Sequence, residues 1–297
     1  MLRRRETTCA TKRNIIETKI LPYFKDMKVT DVTTAEVLKW QNSILKSRKP
    51  NGKEYAETYL RTISNQLSAI LNHAVTFHNL PFNPVLRVER LGKKKAPERD
   101  FWTVEEYLRF IKEMQDKPVF YYAFQMLFWC GIREGELLAL TPKSFDLQNH
   151  TVKITNTYYR LNGKDVIGDT KTDASRRTVT MPAVLVAEIK EYLDSLYGIG
   201  DDSRVFPLTK HSLYNAMNSG CAASGVKRVP VHSLRHSHIT LLENEIMCAT
   251  TKDVANRAGH SSTSMTMLYT HSYRNKDAQI ADELNKFMED NNVSKEL

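Results

Sequence analysis

Pro118-Val-Phe-Tyr-Tyr-Ala-Phe-Gln-Met-Leu-Phe-Trp129 is apolar on nearly every side of a helical wheel, and Cys130-Gly-Ile-Arg-Glu-Gly-Glu-Leu-Leu138 follows it directly. A helix apolar all round belongs inside a core, so this stretch predicts a buried helix over 118–129. Its aromatic side chains read as packing groups rather than as a platform for stacked bases. Gly131 is placed to end the helix in a left-handed conformation. Arg133 then opens a new turn between the buried helix and the run Leu137-Leu-Ala-Leu140, where an unpaired guanidinium is expensive. Glu136 or Glu134 can pair with it. The arginine is then either half of an ordinary salt bridge or a group aimed at a ligand with an acid supporting it from behind.

Upstream of this core, Thr103 with Glu106 three residues later is a capping box that opens a helix. Before that, the chain reads as helices. Thr8 or Thr11 caps a helix carrying Ile15, Ile16, Ile20 and Leu21, and Pro22 lies near its end. Thr33 or Thr34 starts a second, and Leu60, Ile63, Leu67, Ile70, Leu71, Ala74 and Val75 mark a third over 55–78. Downstream, 151–181 switches to a period of two. Asn162-Gly163 is a hairpin turn, and a second turn falls around Lys171-Thr-Asp-Ala-Ser175, which predicts a three-stranded antiparallel sheet with Lys171 near the tip of its second hairpin. Helical patterns return after Pro182, over 210–224 and again from Val231. A last amphipathic stripe, Ile280, Leu284, Phe287 and Met288, lies in 277–290.

The chain has 297 residues with a net charge of +9, and the charge is unevenly spread. Residues 1–99 carry 20 Lys+Arg against 9 Asp+Glu, a net of +11, which leaves 23 against 25 for the rest. Such a block usually faces a polyanion, and a nucleic acid is the partner it favours over a merely soluble basic surface. Arg90-Leu-Gly-Lys-Lys-Lys-Ala-Pro-Glu-Arg99 is a basic linker and the expected domain boundary. Apolar runs fall short of the roughly 20 residues that span a bilayer, so no membrane role is expected. The four scattered cysteines read as free thiols in a reducing compartment, hence the cytoplasm.

Several side chains could carry chemistry. His232 and Arg235 are three apart at a helix start and share a face. An arginine fork suits the non-bridging oxygens of a phosphate, although surface charge on a helical turn is the plain alternative. Lys171 in a turn is most simply solvated, and Thr170-Lys-Thr with Arg176-Arg177 would also make a phosphate-facing edge. His260 follows Gly259 in a Ser/Thr-rich turn. Tyr269 is one of 13 tyrosines, most of which should be packing residues. His232, His236 and His238 are spaced closely enough to suggest a zinc site, but they lack a Glu-x-x-His pattern or paired cysteines, and no metal or other cofactor is expected.

Taken together the pieces are more specific. Gly131-Ile-Arg-Glu-Gly-Glu-Leu-Leu-Ala-Leu140, Thr170-Lys-Thr-Asp-Ala-Ser-Arg-Arg-Thr-Val-Thr-Met-Pro182, His232-Ser-Leu-Arg-His-Ser-His238 and Gly259-His-Ser-Ser262 followed by Tyr269 occur in an order that resembles the tyrosine recombinases, the phage-type integrases. The nine-residue interval from His260 to Tyr269 matches that family, as do Asn83-Pro84 and Thr103-Val-Glu-Glu106 on either side of the basic linker. Trp102, where a small aliphatic is usual, departs from the pattern.

The resemblance implies a mainly α fold with a small antiparallel β-sheet, in two domains that clamp DNA. These are a helical core-binding domain over 1–90, a basic linker over 91–99, and a mixed α/β catalytic domain over 100–297 with a C-terminal helix. It implies Tyr269 as nucleophile, Arg133 and Arg235 as the pair gripping the scissile phosphate, Lys171 as general acid and His232 as general base. His260 is implied as a phosphate hydrogen-bond donor and Glu136 as a supporting carboxylate, while Tyr273 lies off the spacing. The implied activity is metal-independent, site-specific recombination for integration or excision of a mobile element, by a homotetramer on paired core sites of double-stranded DNA. An accessory excision or bending factor is compatible with it. Element-integrating members often carry a further N-terminal DNA-binding module, for which this chain starts too late. A type IB topoisomerase uses similar groups and is the alternative enzyme, and a catalytically silent DNA-binding protein is the non-enzymatic one.

Overall fold

In a computed structural model the chain divides into two compact units, Met1–Glu98 and Arg99–Leu297. The structure describes residues 6–93, 100–161, 163–170, 175–244, 250–260, 262 and 266.

The first unit is helical. It runs through α1 (Glu6–Ile15), a five-residue π turn (Ile16–Ile20), α2 (Leu21–Phe24), α3 (Thr34–Lys46) and α4 (Glu57–Phe77). Thr8 and Thr11 lie inside α1 rather than capping it, and Thr11 Oγ1 donates to the Thr7 carbonyl at 2.9 Å. The helical path ends at Phe24, two residues after Pro22, which lies near its end as expected. Proline lacks an amide hydrogen and crowds the carbonyl four residues back. The π turn widens the helix just ahead of it, with the Leu21 amide reaching back to the Ile16 carbonyl. Pro22 then falls in the first turn of α2, where its missing donor does no harm. Thr33 caps α3 by accepting from the Glu36 amide. Trp40, fully buried, donates its indole N–H to the Lys19 carbonyl, so the core is pinned to the end of the π turn. Ile15, Val37, Ile44, Leu60, Ile63, Leu67 and Leu71 fill the rest of that core.

The second unit is built around α6 (Pro118–Trp129), the predicted core helix with the predicted bounds. Ahead of it is α5 (Val104–Lys112), opened by the Thr103–Glu106 capping box. Tyr107 of α5 stacks on Phe128 of α6 at 3.8 Å between ring centroids and 3° between planes. The unusual Trp102 is buried, with its indole N–H bonded to the Lys227 carbonyl and its ring tilted against Phe110 at 4.8 Å. After α6 come a short α7 (Glu134–Leu137), β1 (Phe145–Asp146), β2 (Thr151–Ile154), β3 (Asn156–Leu161), β4 (Lys164–Asp169) and β5 (Arg177–Thr180). They are followed by α8 (Ala183–Ser195), α9 (Lys210–Ser224), α10 (Ser233–Asn244) and α11 (Thr251–Ala258).

The strands depart from the single three-stranded sheet expected over 151–181. Among the described residues there are two sheets, β1-β2-β5 and the hairpin β3-β4. The hairpin closes where Asn162-Gly163 predicts, with Leu161 opposite Lys164 and Gly163 at a φ of +79°. The expected second hairpin is absent, because β5 pairs with β2 and not with β4. Val152 faces Val179 in that pairing, and both side chains are buried. Burial of this apolar pair outweighs the shorter connection that a β4–β5 pairing would have had. Lys171, Tyr269, Tyr273 and the 277–290 stripe lie outside the described residues. No helix among the described residues is long and apolar enough to cross a membrane.

Candidate active site

The site is assembled by the end of one short helix. Gly259 follows α11 in a left-handed conformation at a φ of +67°, its amide bonds the Asn256 carbonyl, and the His260 amide bonds the Ala255 carbonyl. This double closure is a Schellman turn. It leaves the next three carbonyls pointing onward, and each receives an arginine. Arg177 Nε donates to the Arg257 carbonyl at 2.8 Å, Arg235 Nη2 to that of Ala258 at 2.5 Å, and Arg133 Nη2 to that of Gly259 at 2.8 Å. The negative end of a helix favours cations, which helps hold three of them in one place.

Each arginine arrives from a different element. Arg133 is the N-cap of α7, one-third exposed at 32% of its side chain. It is placed there by Gly131, whose φ of +61° turns the chain out of α6 as expected. Arg235 is buried in α10, and its Nη1 donates to the Gly131 carbonyl at 2.7 Å, which locks the approach to Arg133. Arg177 leads β5. Its position shares a strand face with Val179, so the guanidinium is directed inward, with 7% of the side chain exposed.

Glu136 joins two of these cations. Its Oε1 accepts from Arg133 Nη1 at 2.7 Å, and its Oε2 accepts both the Arg133 amide and Arg177 Nη2 at 2.9 Å. Burial pushes the carboxyl up, but Arg177 first and then Arg133 pull harder and hold it below the usual carboxylate range. Glu134, the other partner considered for Arg133, faces Lys210 at 3.8 Å instead. Burial raises its pKa.

The histidines complete the cluster. His260 follows the Schellman turn, and its Nδ1 lies 2.8 Å from the hydroxyl of buried Thr266. Its pKa falls to about 4, by burial first and then by Arg235, Arg133, Arg177 and His232. His232 precedes α10 and stands edge-on to His236, 4.9 Å between centroids. His238, considered with them as a zinc ligand, points away into the core. Its Nε2 accepts from Arg257 Nε at 3.2 Å, and its pKa drops to about 3 through burial and then Arg257 and Arg235. No group of three metal-ligating side chains occurs among the described residues.

Four of the six expected site residues, Arg133, Arg235, His232 and His260, are therefore brought together. Lys171 and Tyr269 lie outside the described residues. The reading of the sequence missed Arg177 as part of the cluster. The signal was available in its strand, since an arginine two residues before Val179 falls on the inward face of β5.

Residues 100–276 match the phage integrase family, and residues 2–45 match that family's N-terminal SAM-like domain. The chain belongs to the phage integrase family. Among its relatives are the ICEBs1 integrase of Bacillus subtilis, 27% identical over 292 residues that cover 93% of this chain and 77% of the relative. The integrase of Mycobacterium phage L5 is 27% identical over 280 residues, covering 91% of this chain and 72% of the relative. Among solved integrases, the Tn1549 transposon integrase in complex with transposon right end DNA superposes with a TM-score of 0.77 at 17% identity, over 96% of this chain and 95% of that one. A lambda integrase dimer bound to a COC′ core site gives 0.67 at 18% identity, over 92% and 93%. These two share the fold. This integrase is a tyrosine recombinase by family, with a mainly helical two-unit architecture as its sequence led us to expect, and two small sheets where one was expected.

Proposed function

We propose that this integrase recombines specific sites in double-stranded DNA, cutting and rejoining strands through a 3′-phosphotyrosine intermediate to insert or excise a mobile element. One observation carries the reading. Arg133 and Arg235, 102 residues apart in sequence, donate to successive carbonyls beside His260. That arrangement is a cationic seat for one phosphate.

In this mechanism the Tyr269 phenolic oxygen attacks phosphorus and the bond to the 5′-oxygen breaks. A phenol with an ordinary pKa of about 10 needs a base, and His232 takes its proton. Lys171 returns a proton to the leaving 5′-oxygen. Negative charge grows on the non-bridging oxygens, where Arg133 and Arg235 stabilise it. His260 is neutral at physiological pH because its pKa is about 4. In the tautomer whose Nδ1 accepts from the Thr266 hydroxyl, 2.8 Å away, the ring proton sits on Nε2 and is offered to the phosphate. The phosphodiester bond energy is kept in the phosphotyrosine, so a second 5′-hydroxyl can reverse the attack on a new partner without ATP. The basic helical domain expected over residues 1–90, together with linker 91–99, tracks backbone phosphates, while residues 100–297 perform the chemistry. Exchange between two duplexes calls for four protomers on paired sites. The names of its relatives, integrases of phages and of ICEBs1, support the mobile-element setting.

A nicked duplex that loses its 5′ fragment after cleavage traps the covalent intermediate. The parent protein should give an SDS-resistant adduct, while Tyr269→Phe should bind the same DNA and give none. Adduct from the Phe variant moves the nucleophile elsewhere, first to Tyr273. Paired site-bearing duplexes should also yield strand-exchanged product. Relaxation of a single supercoiled duplex without exchange would indicate a topoisomerase.

A further inference from the structure

We propose that Arg177 is a positioning residue that leaves Arg133 its full positive charge for the scissile phosphate. The idea rests on the reading of Arg133 as a phosphate ligand and goes beyond it, since Arg177 itself cannot reach DNA. Its side chain is 7% exposed, and three of its five donors are spent on Glu136 Oε2, the Arg257 carbonyl and the Ser175 carbonyl at 2.9, 2.8 and 3.2 Å.

Arg133 and Glu136 alone form a pair of net zero charge, a poor partner for an anion. Arg177 adds the second cation, so the triad carries +1 while Glu136 still fixes the Arg133 guanidinium. The bonding is divided accordingly. Arg177 and the Arg133 amide share Oε2, which turns Oε1 toward Arg133 Nη1. A guanidinium has five N–H donors, and Arg133 uses two of them in the protein, on Glu136 and Gly259. Arg177 also ties three segments together. It bonds α7, which carries Glu136, the end of α11, which leads to His260, and the Ser175 carbonyl ahead of its own strand. One buried side chain is thus in contact with the elements that bring Arg133 and His260 to the site.

The test measures single-turnover adduct formation on the nicked duplex at saturating DNA, alongside the DNA Kd. Arg177→Met should slow adduct formation by about 10- to 100-fold, less than loss of a direct donor to developing charge, with the Kd within about 3-fold of the parent. Arg177→Lys, which keeps the charge and loses the fork, should fall between. Combining Arg177→Met with Glu136→Gln removes the carboxylate that needed a second cation, and should recover at least about 5-fold of the lost rate. An Arg177→Met protein with an unchanged rate, or one whose loss lies wholly in Kd, overturns the proposal. So does a loss relieved by neither the lysine nor the double variant. If Arg177→Met fails to fold, the lysine and double variants decide by the same rates. A parent protein that forms no adduct at all removes the recombinase reading itself, an outcome that is separate from all of these.

Discussion

A lone guanidinium one residue beyond a core turn would be costly to keep, and Glu136 is what makes Arg133 tolerable there. The same crowding of cations sets the protonation of the nearby imidazoles. His260 and His238, with pKa values of about 4 and about 3, stay neutral in the folded protein at pH 7. Unfolding restores both toward about 6.5. Between that value and the folded ones, the unfolded chain binds more protons, so stability is full above about pH 6.5 and falls as the solution is acidified. Melting temperature recorded from pH 7.5 to 4 should therefore drop steadily below about 6.5. His238→Gln should flatten the slope by up to about 1.4 kcal/mol per pH unit, the equivalent of one proton. An identical slope in the variant would show that His238 is not the buried base.

Among the elements, the turn after α6 is the most constrained. Gly131 holds a φ of +61°, and a Cβ there would lie 2.2 Å from His238 Cδ2. Neither the backbone nor the packed imidazole can yield easily, so Gly131→Ala should destabilise the second unit by about 2 kcal/mol or more in urea unfolding. A loss below about 0.5 kcal/mol would mean the α6–α7 turn relaxes freely. This turn was legible in advance, because a glycine after a run of buried helix has few other uses. The pairing of β5 was not. Periodicity identifies a strand and its inward face but not its neighbour, and β2 lies more than twenty residues away. The π turn ahead of Pro22 was not legible either, because a single widened turn leaves no mark on the spacing of apolar residues.

At the scale of the whole molecule, charge is the dominant asymmetry. The first 99 residues carry a net +11 and the rest −2. If the first unit and the linker neutralise DNA phosphates, log affinity should fall steeply with log salt. A slope of about −5 or steeper corresponds to roughly six released counterions. Binding measured between 50 and 200 mM salt reads this directly, and a nearly flat line would contradict the phosphate-tracking role. Family matches fall on both units, residues 2–45 on one and 100–276 on the other.

Local sequence was enough for the core helix, the Thr103 cap, the Asn162-Gly163 turn and the basic block, because each depends on residues within one or two turns of one another. The ordered motifs also pointed to Arg133, His232, Arg235 and His260 as one group. Only the tertiary structure revealed how they are held. Three arginines from separate elements meet three successive carbonyls at the end of α11, and Glu136 is shared between two of them. Such convergence depends on distances between segments as much as 126 residues apart, which no local pattern encodes.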